Sequence, residues 1–75
     1  MNPTKKLIAY HIARLKDRNV QVRLSTIQEL ADRGDLDALN ALQETYRTDP
    51  DMTVRRAAQE AGRAIFLRNQ QQQSS

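Results

Sequence analysis

The segment of residues 49–65 constrains the fold of this chain more than any other. It begins with Asp-Pro-Asp. Because proline cannot continue a helix and aspartate accepts hydrogen bonds from free helical N–H groups, this start predicts a tight turn followed by a helix. On a helical wheel, three further apolar side chains lie within about 40° of Val54. They are Ala58, Ala61 and Ile65. A narrow stripe of mostly small side chains predicts close packing of this helix against others.

The rest of the chain shows helical periodicity, with no alternation of apolar and polar residues that would indicate a strand. We predict helices over residues 3–16, 20–33 and 36–48, and a fourth helix from the turn to about residue 69. The sequence Asn2-Pro3 favours a helix start, Gly34 a helix end and Asp35 the next start. The prediction is therefore a single all-α domain of four helices in two antiparallel hairpins.

Comparing the chain with itself reveals an internal repeat. A shift of 34 residues places the aliphatic stripe of the second helix on that of the fourth. A shift of 32 aligns two Val-Arg dipeptides instead, but it puts Glu29 and Arg33 at the positions of Ala61 and Ile65. We therefore predict repeat units over residues 3–34 and 35–69 within a domain of residues 1–69. The pairs superposed by the 34-residue shift are Val20 with Val54, Leu24 with Ala58, Ile27 with Ala61, and Ala31 with Ile65.

A two-helix unit that ends in Asp-Pro-Asp-x-x-Val-Arg-x-x-Ala-x-x-Ala resembles a HEAT repeat, in particular the short bacterial kind first grouped with phycobilisome lyases. The resemblance is good over residues 38–65 and weaker over residues 5–31, where Gln21 stands in place of the family's arginine. That substitution leaves only Asp49 and Arg55 for the Asp–Arg ladder of the family. The resemblance implies a fragment of an α-solenoid that binds other proteins, without cofactor or catalysis.

Composition and charge narrow the function further. The net charge is +4 over residues 1–18, −4 over residues 19–54 and +3 over residues 55–75, which indicates either an anionic partner or packing between copies. There is no cysteine, no apolar run of the roughly 18–20 residues that a membrane span needs, and no apolar signal-peptide core. We expect a cytoplasmic protein without a membrane partner. Residues 70–75 are polar and glutamine-rich, and we predict a disordered tail there.

Candidate catalytic and metal-binding residues have simpler explanations. The single histidine, His11, has only Leu7, Ile8, Arg14 and Leu15 as helical neighbours, so we interpret it as a packing residue. The aspartates at the starts of helices 3 and 4 are well placed to cap them. The sequence offers no nucleophile–base pair, paired catalytic carboxylates or phosphate loop. We therefore predict no enzymatic activity, cofactor, metal or small-molecule substrate.

Two apolar residues do not fit the buried stripe of helix 4. Phe66 and Leu67 fall outside it, and we hypothesise that helix 4 docks another protein or a second copy around Ala57, Ala64 and Phe66. The candidate partner-binding residues are Lys5, Lys6, Arg56, Gln59, Arg63, Phe66 and Leu67. The candidate structural residues are Asp49, Pro50, Asp51, Val54 and Arg55.

The sequence thus predicts a non-enzymatic protein-interaction or scaffold module. The alternative is a nucleic-acid-associated accessory protein, because basic residues cluster near the starts of helices 1 and 4. Its contacts would come from Lys5, Lys6, Arg55, Arg56 and Arg63.

Overall fold

The computed structural model describes residues 3–73, with side chains described over residues 7–71. The predicted cap Asn2 and the last two serines lie outside this range. The described residues form four α-helices and one short 3-10 turn, and they contain no strand. The helices are α1 (Pro3–Arg14), α2 (Val20–Arg33), α3 (Leu39–Thr48) and α4 (Met52–Gln73), and the 3-10 turn (Leu36–Ala38) precedes α3. The predicted all-α fold of two helical hairpins is confirmed.

Helix α2 has the predicted bounds, while the other three differ at one end. Helix α1 ends at Arg14 because the next residues tighten into a turn, in which Leu15 N–H donates to Ile12 O and Asp17 N–H to Arg14 O, each at 3.1 Å. The predicted third helix begins as a 3-10 turn, in which the Asp35 side chain accepts from Asp37 N–H. None of the described helices is long and apolar enough to cross a bilayer.

Helix α4 continues to Gln73, beyond its predicted end near residue 69. The disorder predicted for residues 70–75 is therefore wrong over residues 70–73. Glutamine is a good helix former, so a helix that is already packed can propagate through these residues. Asn69 ties this part of α4 to the end of α2, because its Nδ2 donates to Gly34 O at 3.2 Å as well as to Ile65 O at 2.9 Å.

The two hairpins correspond at an offset of 32 residues in their turns, not 34. Asp17 Oδ1 accepts from Asn19 N–H and Asp49 Oδ1 from Asp51 N–H, each at 2.9 Å. Asn19 Oδ1 then accepts from Gln21 N–H at 2.8 Å, and Asp51 Oδ1 accepts from Thr53 N–H at 2.8 Å. Helices α2 and α4 also begin 32 residues apart. The 34-residue repeat predicted from the stripes is therefore wrong for the backbone turns.

The core residues of α2 and α4 show why the pattern of buried side chains does not follow the 32-residue offset of the turns. Helix α4 buries Val54, Ala58, Ala61 and Ile65, as its stripe predicts. Helix α2 is in contact with both α1 and α4, so its fully buried positions are different ones. They are Arg23, Thr26, Ile27 and Leu30, while Val20, Leu24 and Ala31 are only partly buried. Glu29 and Arg33 are exposed, although the 32-residue shift places them on the buried residues Ala61 and Ile65. The two helices therefore bury different positions of the repeat, and this mismatch does not exclude the 32-residue offset.

Gly34 allows the chain to leave α2. Its φ is 66°, in the left-handed region, and its N–H donates to Leu30 O and Ala31 O at 3.1 Å. A Cβ added there would lie 2.7 Å from Arg68 Nη1, the group that donates to Asp32 O. We expect Gly34→Ala to lower the free energy of unfolding by about 1–2 kcal/mol, because the left-handed conformation disfavours any Cβ.

Gly62→Ala is the matched control for that prediction. Gly62 lies inside α4, and an added Cβ would meet only Leu39 Cδ2 at 4.0 Å. Alanine should therefore raise the free energy of unfolding by about 0.5–1 kcal/mol. Urea denaturation followed by circular dichroism measures both changes. Equal effects of the two substitutions would contradict the assignment of Gly34 as the special backbone position.

Candidate protein interface

A buried ion pair joins the two hairpins at the turn before α4. Arg23 and Asp49 are each 8% exposed. Arg23 Nη2 donates to Asp49 Oδ1 at 3.2 Å, and its Nε lies 2.9 Å from Oδ2 without the direction of a hydrogen bond. Arg23 Nη1 also donates to Asp17 O at 2.7 Å and to Arg18 O at 3.2 Å. One guanidinium therefore holds the turn of its own hairpin and the carboxylate of the next.

This pair corrects the Asp–Arg contact implied by the sequence. Asp49 was expected to pair with Arg55, but its partner is Arg23, and Arg55 is only half-buried. The two Val-Arg dipeptides could have predicted the role of Arg23. The 32-residue shift aligns Arg23 with Arg55, the arginine to which the resemblance assigns the contact with aspartate. The remaining candidate structural residues surround the same turn. The Asp51 side chain accepts from Thr53 N–H and Val54 N–H at the start of α4. Val54 is fully buried, whereas Pro50 is exposed.

An apolar groove of about 250 Å³ runs between α3 and α4. Phe66, 50% exposed, stands on one side, and Tyr46, 42% exposed, on the other. Gly62 leaves the groove open because it has no side chain there. All its lining residues come from the second hairpin: Leu39, Gln43, Tyr46, Ala58, Gln59, Gly62, Arg63 and Phe66.

A second depression, of about 420 Å³, continues from Tyr46 towards the start of α4. Its other lining residues are Arg47, Met52, Arg55 and Arg56. The lining of the two depressions contains four arginines and no carboxylate. We call the two depressions together the end face, because no described residue of the first hairpin lines either of them.

The structure separates residues that the sequence hypothesis grouped together. Ala57 and Ala64 face α2, where they line another groove of about 250 Å³ with Glu60. Phe66 lies on the end face instead. Leu67 is 44% exposed and lines neither groove. The proposed docking residues of helix 4 therefore belong to different sides of it.

Two of the five basic residues predicted to bind nucleic acid lie outside the described side chains. Lys5 and Lys6 are in the first turn of α1, where no side chain is described. Helix α1 packs mainly on α2 and the 3-10 turn, whereas Arg55, Arg56 and Arg63 belong to α4, which packs on α3 and α2. The three basic residues with described side chains, Arg55, Arg56 and Arg63, all line the end face.

The side chain of His11 is 12% exposed and faces a carboxylate from another helix. Its Nδ1 lies 3.1 Å from Glu29 Oε2, and Arg14 Nη1 lies 3.5 Å from the same oxygen. Glu29 comes from α2, so periodicity within α1 did not reveal it. Among the described residues no group of three or more His, Cys, Asp or Glu side chains is arranged to hold a metal ion.

Two stacked helical hairpins joined by an Arg–Asp pair define a short α-solenoid. The chain matches the family model of HEAT repeats over residues 2–63, and it belongs to the HEAT-repeat family. The phycobilisome-lyase-like subgroup stays a prediction. A search of curated proteins found no significant match, and a search of solved structures found none either.

Proposed function

We propose that this protein is a non-enzymatic interaction module that binds another protein through its end face. The observation that carries the proposal is the pair of exposed aromatic side chains, Phe66 and Tyr46, on either side of an open apolar groove. Aromatic residues in such grooves are the usual anchors of protein interfaces. HEAT repeats generally serve protein interactions, which supports the same function. The cytoplasmic location stays a prediction.

Three of the seven large apolar residues that are exposed among the described residues line the end face. Met52 is 60% exposed and extends the aromatic pair along α4. Scattered apolar residues on a surface need no explanation, but a contiguous patch with a polar rim is typical of an interaction site. In repeat proteins each hairpin buries apolar surface against the neighbouring hairpins. A bound partner protein would bury the apolar surface of the end face in the same way.

Phe66→Ser is expected to remove partner binding and leave the fold intact. Half of the Phe66 side chain is exposed, so its loss should cost little stability, whereas an anchor residue is typically worth 2 kcal/mol or more of binding. The measurement is affinity capture from the native organism with wild-type and variant proteins, scored by quantitative mass spectrometry. A protein that is captured at least tenfold less by the variant identifies the partner.

Leu7→Ser is the control, since Leu7 is 43% exposed on α1 and lies far from the end face in sequence and contacts. It should capture the same protein as the wild type. If no captured protein distinguishes Phe66→Ser from Leu7→Ser, the end face is not the binding surface and the proposal fails.

A nucleic-acid-associated function is the second candidate, because Arg55, Arg56 and Arg63 share the end face. Such binding would weaken steeply between low and physiological salt, since each neutralised phosphate releases counterions. A DNA and RNA mobility shift across salt measures this. No shift at low salt would remove this candidate.

A further inference from the structure

We infer that the end face selects an acidic amphipathic helix, with carboxylates against the arginines and an apolar anchor in the groove beside Phe66. This inference rests on the proposed function and adds the chemistry of the partner. Its basis is the charge of the end face, its length along α4 and the three arginines there that form no ion pair with a described residue.

Three of the four arginines on the end face have no carboxylate partner among the described residues. Arg47, Arg55, Arg56 and Arg63 line it without a carboxylate. Arg47 pairs with Glu44 at 2.6 Å, but Arg55, Arg56 and Arg63 form no ion pair with any described residue. A face with one sign of charge attracts and orients a partner of the opposite sign.

The ion pairs formed by the described residues of the fold use other arginines. Arg23 holds the two hairpins together, and Arg14 lies beside Glu29. Arg55 and Arg56, in contrast, follow the N-terminus of α4, where the helix dipole disfavours positive charge. Positive charge at this end of the helix does not stabilise the fold, but it would attract the carboxylates of a bound partner.

The dimensions of the end face suit a helix. Met52 and Phe66 are 14 residues apart on α4, which corresponds to about 21 Å along its axis. A partner helix of about four turns spans this length, and it can place apolar residues at i, i+3 or i+4, and i+7 along the groove. Carboxylates on the flanks of the same helix would then meet Arg55, Arg56 and Arg63.

Two other occupants fit the end face less well. A second copy bound by two-fold symmetry would place these arginines opposite one another, because such an interface uses the same patch twice. A nucleic-acid duplex would satisfy the arginines, but its stacked bases leave nothing to fill the groove between Leu39 and Phe66. An acidic helix satisfies both the charge and the apolar groove.

The test is selection from a displayed library of 14-residue helical peptides with randomised exposed positions. The targets are the wild type, the double variant Arg55→Glu/Arg56→Glu, and the control Arg18→Glu, whose exposed arginine is in the turn between α1 and α2. Thermal melts establish that all three are folded. We expect the wild type and control to enrich Asp and Glu beside an aromatic or aliphatic anchor, and the double variant to enrich Lys and Arg.

Fluorescence anisotropy then measures the affinity of the most enriched peptide. We expect the double variant to bind it at least tenfold more weakly than the wild type, and Arg18→Glu to stay within twofold. Selected peptides that depend on Phe66 but show no acidic preference would overturn this inference and leave the proposed function standing. A selection whose peptides all bind Phe66→Ser as well as the wild type would overturn both.

Two further results would also overturn the inference. One is a 20-base-pair DNA duplex that binds the wild type more tightly than the selected peptides do and loses affinity with Arg55→Glu/Arg56→Glu. The other is a dimer in sedimentation equilibrium that the Phe66→Ser variant abolishes. The first would assign the end face to nucleic acid, and the second would assign it to a second copy of this chain.

Discussion

Asp49→Ala is expected to lower the free energy of unfolding by about 3–5 kcal/mol, because it leaves the buried guanidinium of Arg23 without its carboxylate. It also removes the acceptor for Asp51 N–H in the turn before α4. A domain of 75 residues has a total stability of roughly 4–11 kcal/mol, so much of the population should unfold. Urea denaturation followed by circular dichroism measures the loss.

Glu44→Ala is the control for this prediction. Glu44 also pairs with an arginine, Arg47, but the pair is exposed, and such pairs contribute about 0–1 kcal/mol. Adding Arg23→Met to Asp49→Ala removes the unpaired cation and should recover part of the loss, as a double-mutant cycle would reveal. If Asp49→Ala costs no more than Glu44→Ala, the Arg–Asp pair does not hold the hairpins together.

Leu30→Ala is the second prediction with a large effect. Leu30 is fully buried in the core that both hairpins share, so truncation should cost about 2–5 kcal/mol through lost burial and the cavity that remains. Leu24→Ala, on the same helix, should cost clearly less, because Leu24 is only partly buried. The same denaturation experiment measures both.

The comparison of the two leucines separates the observed face of α2 from the one that the sequence repeat predicts. The 34-residue shift places Leu24 in the predicted buried stripe and leaves Leu30 out of it. The structure reverses that order. A larger loss for Leu24→Ala than for Leu30→Ala would favour the sequence stripe and contradict the packing of α2 between α1 and α4.

Local signals were sufficient to predict that there are four helices, and they gave both ends of α2. Helix α2 begins after Asn19, whose side chain caps it, and ends at Gly34, whose left-handed φ terminates it. Both residues have strong preferences that act within a few positions along the chain. The buried stripe of α4 was predictable for a similar reason, since four apolar residues recur at helical spacing from Val54 to Ile65.

Contacts between elements were not predictable in the same way. Arg23 is charged, and periodicity gives no reason to bury it. Its burial depends on the carboxylate of Asp49, 26 residues away, together with the two backbone carbonyls of its own turn. Thr26 is likewise buried because its hydroxyl donates to Val22 O within α2 at 2.6 Å. Both residues interrupt the apolar pattern from which a repeat is recognised, which is why the stripes suggested the wrong offset.

The sequence predicted residues of the end face, among them Phe66, but not the groove beside that side chain. Phe66 was recognisable because a large apolar residue lay outside the buried stripe of its helix. The groove beside it requires Tyr46 from α3 and the missing side chain of Gly62, and their juxtaposition depends on how the two helices pack. For the same reason the sequence could not separate Ala57 and Ala64, which face α2, from Phe66.

The most direct test of the proposed interface is NMR chemical-shift mapping of the ¹⁵N-labelled protein with the selected acidic peptide. Binding at the end face predicts the largest shifts at the amides of Tyr46, Arg56, Gly62 and Phe66, with small changes at Ala57 and Ala64. The largest shifts along the α2–α4 groove, or in the first turn of α1, would show that the chain binds its partner elsewhere.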